Sequence, residues 1–119
     1  MTEGKIVTFY SYKGGTGRTM ALANTAWILA SSGKKVLVID WDLDSPGLHK
    51  FYHPFLDSAA ISGAPGVIDL INGFAWTATT PGDRPADWHV PHARISRLAV
   101  PVRWSHFPAE PCLRPVRAG

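Results

Sequence analysis

The chain has 119 residues, 45% hydrophobic and 18% charged, with a formal net charge of +3. That length suits one ordinary domain, and the balance excludes a wholly disordered chain, although 11 glycines and 10 prolines exceed what a modest core normally takes. The longest apolar stretch, Ala21 to Ala30, is broken by Asn24 and Thr25 and falls short of the roughly 20 apolar residues that cross a bilayer, so no transmembrane segment is expected.

The charge is unevenly placed. Residues 1–80 carry six Lys/Arg against six Asp/Glu, whereas residues 81–119 carry six Arg against three acids. The opening Met-Thr-Glu-Gly-Lys lacks the charged and apolar regions of a secretory signal, and one cysteine, Cys112, leaves no intramolecular disulfide to form. Both features point to a cytoplasmic location.

Lys5 to Tyr10 is rich in β-branched and aromatic residues and runs into a glycine cluster, which predicts a short buried strand followed by a loop over Ser11 to Gly17. Arg18 to Ser32 contains no Gly or Pro and is dominated by helix formers. Gly33 then stands where a helix C′ residue is expected. Val36 to Ile39 is a continuous apolar run, as in a strand covered on both faces. Strand, loop, helix and strand make one βαβ unit with parallel pairing.

Asp40 to Pro54 is polar and marked by Gly and Pro. Val67 to Ala75 has the apolar spacing of a short amphipathic helix. Val67-Ile68-Asp69 is too short an apolar run to be a further core strand ending in an acid. Seven of the ten prolines follow residue 80, so the tail reads as extended or loop-like, with Ile95 to Val100 the stretch open to a third strand.

Chemistry concentrates in Lys13-Gly14-Gly15-Thr16-Gly17-Arg18-Thr19, between a predicted strand and a predicted helix. Glycines let successive backbone N–H groups turn toward one point, and the helix start adds its unpaired amides and positive dipole end, which together suit a phosphate group. A cation at position 18 serves the β- and γ-phosphates, and Thr19 presents a hydroxyl to Mg²⁺. The plainer alternative is a glycine turn capping a core helix. Asp40, Asp42 and Asp44 lie within five residues on one loop, where a cation or solvent must relieve their repulsion, as an ordinary polar loop also does.

The string KGGTGRT, followed by MALANTAWILA and VLVIDWDLDSPGL, resembles the deviant Walker A and switch I segments of the ParA/MinD ATPases, over about residues 4 to 56. The resemblance implies an α/β fold of the P-loop NTPase type, a parallel sheet with flanking helices, of which this sequence displays the N-terminal βαβ portion. It implies ATP and Mg²⁺ as ligands. Gly14, Gly15, Thr16, Gly17, Arg18 and Thr19 would bind the nucleotide, Thr19 and Asp40 would serve the metal, and Lys13 and Asp42 would act in catalysis. Lys13 would reach the partner's phosphates across a homodimer, and Asp42 would position the attacking water.

Two departures stand out: Arg18 where the family has lysine, and Tyr12 where the general P-loop pattern has its first glycine. Arg keeps the charge and changes the shape, a planar fork for a compact ammonium, which favours retained binding over retained hydrolysis. The further strand that ends in a metal-organising Asp is not found. Residues 1–80 are therefore read as the N-terminal part of an ATPase domain, and 81–119 as a Pro/Arg-rich tail at the start of its remainder, in a truncated chain.

The second reading is a degenerate nucleotide-binding module or scaffold without turnover. A dinucleotide-binding site fits Gly15 and Gly17 but meets Met20 where that fingerprint needs Gly or Ala, and leaves Lys13 and Thr19 without a task. His49, His53, His89, His92 and His106 lack a tight metal spacing. Trp76, Trp88 and Trp104 with Arg94, Arg97 and Arg103 suit packing against the rest of a fold better than nucleic-acid contact. Cys112 reads as structural. The sequence names no cargo or protein partner.

Overall fold

The computed structural model describes residues 3–103 and 113–118. Its elements in chain order are helix α1 (Arg18–Ser31), strand β1 (Val36–Ile39), a 3₁₀ helix (Leu48–Phe55), helices α2 (Ser58–Gly63) and α3 (Val67–Thr79), a 3₁₀ turn (Val90–Ala93), helix α4 (Ile95–Leu98) and strand β2 (Leu113–Val116). The architecture is α/β: a two-stranded parallel sheet with flanking helices.

Helix α1 begins and ends on glycines for the same backbone reason. Gly17, before the first turn, has φ 79°, and Gly33, after the last, has φ 81°, a region that costs an L side chain roughly 1–2 kcal/mol. Gly33 N–H donates to Ala30 O (3.0 Å) and Lys34 N–H to Leu29 O (3.0 Å), the paired reversed bonds of a Schellman stop. Between these ends Ala23, Ala26 and Ala30 form one small-residue face, fully buried. Small side chains there let Val38 of β1 and Leu48 and Tyr52 of the 3₁₀ helix approach and complete the main core. Tyr52 Oη donates to Ala23 O at 2.9 Å, and Trp27 packs on Tyr52 and Phe55 with ring centroids 6.2 and 4.9 Å apart.

β1 pairs with β2 in parallel register, Val36 opposite Leu113 and Ile39 opposite Val116, and Asp40 N–H extends the ladder to Val116 O at 3.0 Å. On β2's other side, Val100 and Val102 donate their N–H groups to Pro115 O (3.1 Å) and Leu113 O (2.9 Å). Pro115 therefore serves this edge through its carbonyl alone, which accommodates its missing N–H. Beyond β2, the carbonyls of Arg117 and Ala118 accept from Val67 and Ile68 at 2.9 and 2.8 Å, satisfying the first amides of α3, while Asp69 Oδ2 accepts from Gly66 N–H at 2.7 Å. Val67, Leu98, Ala99 and Val116 form a second, smaller core there.

Several sequence expectations are corrected. Lys5 to Tyr10 forms no strand and is not buried: Ile6 is 96% and Tyr10 80% exposed. The parallel pairing joins β1 to the tail segment β2 and not to the N-terminal segment, which pairs with no strand among the described residues. β1 is covered on one face only, with Val38 buried and Leu37 and Ile39 exposed, because α1 and the 3₁₀ helix pack on a single side. Ile95 to Val100 is not a strand either. Its first four residues are helical, and the extended stretch beside β2 starts at Ala99. The helix expected at Val67 is present and runs on to Thr79. Trp104, His106 and Cys112 lie outside the described residues.

Candidate functional site

Two loops meet at the N-terminal end of α1. The first, Ser11 to Gly17, carries Gly15 at φ 72° and Gly17 at φ 79°, both in the left-handed region where glycine is the unstrained choice. The N-cap residue Gly17 has no side chain to cap α1, and the first turn holds no acidic residue, so the helix start presents amides and the positive end of its dipole without a counter-charge of its own. Lys13, Gly14 and Thr16 are exposed, and Thr19 is half-buried.

Ser11 organises this loop. Its hydroxyl donates to Lys13 O (3.1 Å) and accepts from Thr16 Oγ1 (3.1 Å) and from Arg18 Nη1 (2.9 Å), while its carbonyl accepts a second bond from Arg18 Nη1 (3.0 Å). Sequence reading did not single out Ser11. The available signal was a hydroxyl residue placed directly ahead of a glycine-rich loop.

The second loop, Asp40 to Leu48, is rooted on a buried carboxylate. Asp40 is 7% exposed. Its Oδ1 accepts from Asp42 N–H (3.1 Å), and its Oδ2 accepts from Gly47 (3.1 Å) and Leu48 N–H (3.2 Å). One carboxylate thus closes the loop and satisfies amides at the start of the following 3₁₀ helix, the kind of charge-assisted bonding that makes burial of an acid tolerable. Asp42 is half-exposed, its Oδ1 accepting from Ser45 N–H at 3.0 Å and its Oδ2 facing Arg18 Nη2 at 3.5 Å. Asp44 is exposed.

The structure thus brings Arg18 and Asp42 into contact and sets Asp40 and Asp42 on one loop. One residue beyond Leu48, the buried Nδ1 of His49 meets no hydrogen-bond partner among the described residues. Burial, followed by the neighbouring cations Lys50 and Arg117, holds its pKa below the usual imidazole value, against an opposing pull from Asp40. His92 lies away from this site, edge-on to Phe74 and Trp88, and Arg84 sits over the Trp88 ring at 5.3 Å. Trp76 is 75% exposed.

The donor set is chemically suited to a nucleotide with its metal. Thr19 offers a hydroxyl oxygen, and Asp40, with three amides on its two oxygens, still has lone-pair capacity, so hard oxygen ligands are available for Mg²⁺ or its waters. Among the described residues, no helix is long and apolar enough to cross a membrane.

Comparison with known proteins bears on the nucleotide part of this reading. Residues 4–46 match the model of a family described as AAA domain. An uncharacterized ATP-binding protein of Methanocaldococcus jannaschii is 52% identical over 44 residues, a match covering 37% of this chain and 17% of the relative. No solved structure matches. The N-terminal segment is thus similar to an AAA-domain family and to a protein named as ATP-binding, and the chain spans less than a fifth of that relative's length.

Proposed function

We propose that this chain supplies the phosphate-binding half of a Mg·ATP site in a cytoplasmic ParA/MinD-like ATPase that works as a nucleotide-dependent dimer switch. The observation that carries the reading is the left-handed pair Gly15 and Gly17 leading into the uncapped start of α1, within the segment that matches the family.

In this reading the amides of Gly14 to Thr19 hold the phosphates, and Arg18 adds a charge-assisted contact. Thr19 and Asp40 would hold Mg²⁺ or its waters, and the bound ion would supply positive charge beside the transferring phosphoryl group. Asp42 accepts a hydrogen bond from the attacking water and orients it. Lys13, exposed at the loop's edge, reaches the phosphates of a second copy and links turnover to dimerisation. A cargo or protein partner would read the dimeric state.

A second reading is favoured by one specific observation, the guanidinium of Arg18 already engaged by Ser11 and Asp42. It is a nucleotide-binding module without turnover. Measuring ATP hydrolysis against protein concentration separates the two. The switch reading expects the specific rate to rise steeply with concentration and to collapse in Lys13→Ala. Saturable ATP binding with no hydrolysis at any concentration would favour the module.

A further inference from the structure

Arg18 bridges two loops. Its Nη1 donates to the carbonyl and hydroxyl of Ser11 in the glycine loop, and its Nη2 faces Asp42 Oδ2 at 3.5 Å across the site. Asp42 is itself bifunctional, because its other oxygen holds Ser45 N–H at 3.0 Å. The chain Ser11–Arg18–Asp42–Ser45 therefore ties the glycine loop to the middle of the acidic loop. The ends of that acidic loop are fixed independently by Asp40, whose oxygens hold the amides of Asp42, Gly47 and Leu48. The Asp42 side chain is its movable part, with Arg18 and Asp42 32% and 33% exposed.

From this juxtaposition we propose that Arg18 is a positioning residue that couples phosphate occupancy to the acidic loop, because the Asp42 carboxylate and a nucleotide's terminal phosphates compete for the same guanidinium. The inference rests on the nucleotide-binding reading above. A guanidinium has donors for only a few oxygens in one plane, and the multiply charged phosphate outcompetes a single half-exposed carboxylate. When phosphate takes Nη2, Asp42 loses its partner, and the turn over residues 42–45 loosens. Arginine suits this role because its planar fork keeps Ser11 on one nitrogen while the other changes partner.

A titration with a fluorescent ATP analogue on four versions of the 119-residue chain tests the coupling: wild type, Asp42→Asn, Arg18→Gln and the double variant. Removing the competitor should tighten binding by about two- to fivefold in D42N, the range that a half-exposed ion pair supports, and the gain should vanish in the Arg18→Gln background. An equal gain in both backgrounds would mean that Asp42 simply repels the phosphates, and would overturn the coupling while leaving the nucleotide site intact. Failure of the wild type to bind the analogue would remove the nucleotide reading itself. Should R18Q bind too weakly to close the cycle, hydrogen exchange at the Ser45 amide decides. ATP should accelerate it in the wild type and leave unchanged the already fast exchange of Asp42→Ala, which lacks the acceptor oxygen. Slower or unaltered exchange in the wild type would overturn the proposal.

Discussion

The two loops of the candidate site are built on opposite principles. The glycine loop, Ser11 to Gly17, is held by backbone conformation and by hydrogen bonds among exposed or half-buried groups. The acidic loop, Asp40 to Leu48, is held by one buried carboxylate that gathers amides two, seven and eight residues along the chain. A carboxylate removed from solvent tolerates little rearrangement, whereas exposed contacts exchange with water or a ligand at small cost. The difference assigns the loops different work: the acidic loop's ends are scaffold, and the glycine loop with Arg18 and Asp42 is the adaptable part.

The largest test of that contrast is Asp40→Ala. Three amides lose a charged acceptor in a buried setting, and the expected loss of stability is about 3 kcal/mol in urea unfolding. Asp42→Ala should cost no more than about 0.5 kcal/mol, since its contacts are half-exposed. Equal losses would erase the distinction between the two loops.

Within the glycine loop, Gly17→Ala should cost about 1–2 kcal/mol, because φ 79° strains an L side chain although nothing lies within 4 Å of the added Cβ. Gly14→Ala, with equally open space and no positive φ, should stay within about 0.5 kcal/mol of wild type. If the two alanines unfold alike, backbone conformation is not what holds this loop.

A smaller effect separates the packed support from both loops. Tyr52 sits under α1, and burial pushes its pKa up to about 12 from 10.0. Its neutral form is thus favoured by the fold. This contribution is complete below pH 10 and is lost as pH rises from about 10 toward 12, while Tyr52→Phe should lower stability by about 1 kcal/mol at neutral pH and flatten that alkaline decline. An unchanged alkaline limb in Tyr52→Phe would place the titration elsewhere.

Sequence made part of this legible. Gly17 and Gly33 bracket α1 so clearly because each position needs a backbone conformation that few other residues accept. The helix from Val67 was readable from its apolar spacing. Strand partners were not, because pairing is a tertiary choice: Lys5 to Tyr10 has strand composition but pairs with no described strand, while Leu-Arg-Pro-Val becomes β2 despite Pro115, whose carbonyl is all its outer edge uses. The 3₁₀ helix around Pro54 was hidden too. It rests on Leu48 and Tyr52 packing against α1 and on Asp40 reaching along the loop, neither of which leaves a local pattern. In the candidate site, the glycine string was evident, and the ties through Ser11 and the buried state of Asp40 emerged only in three dimensions.

Nucleotide binding by the glycine loop is read out by thermal unfolding of the 119-residue chain with and without Mg·ATP. A ligand that binds only the native state raises the midpoint. A nucleotide-binding loop gives a cooperative melt shifted upward by Mg·ATP, with the shift lost in a Gly17→Ala, Thr19→Ala double variant. A cooperative melt that Mg·ATP leaves in place, or a shift that survives in the double variant, would contradict nucleotide binding by this loop.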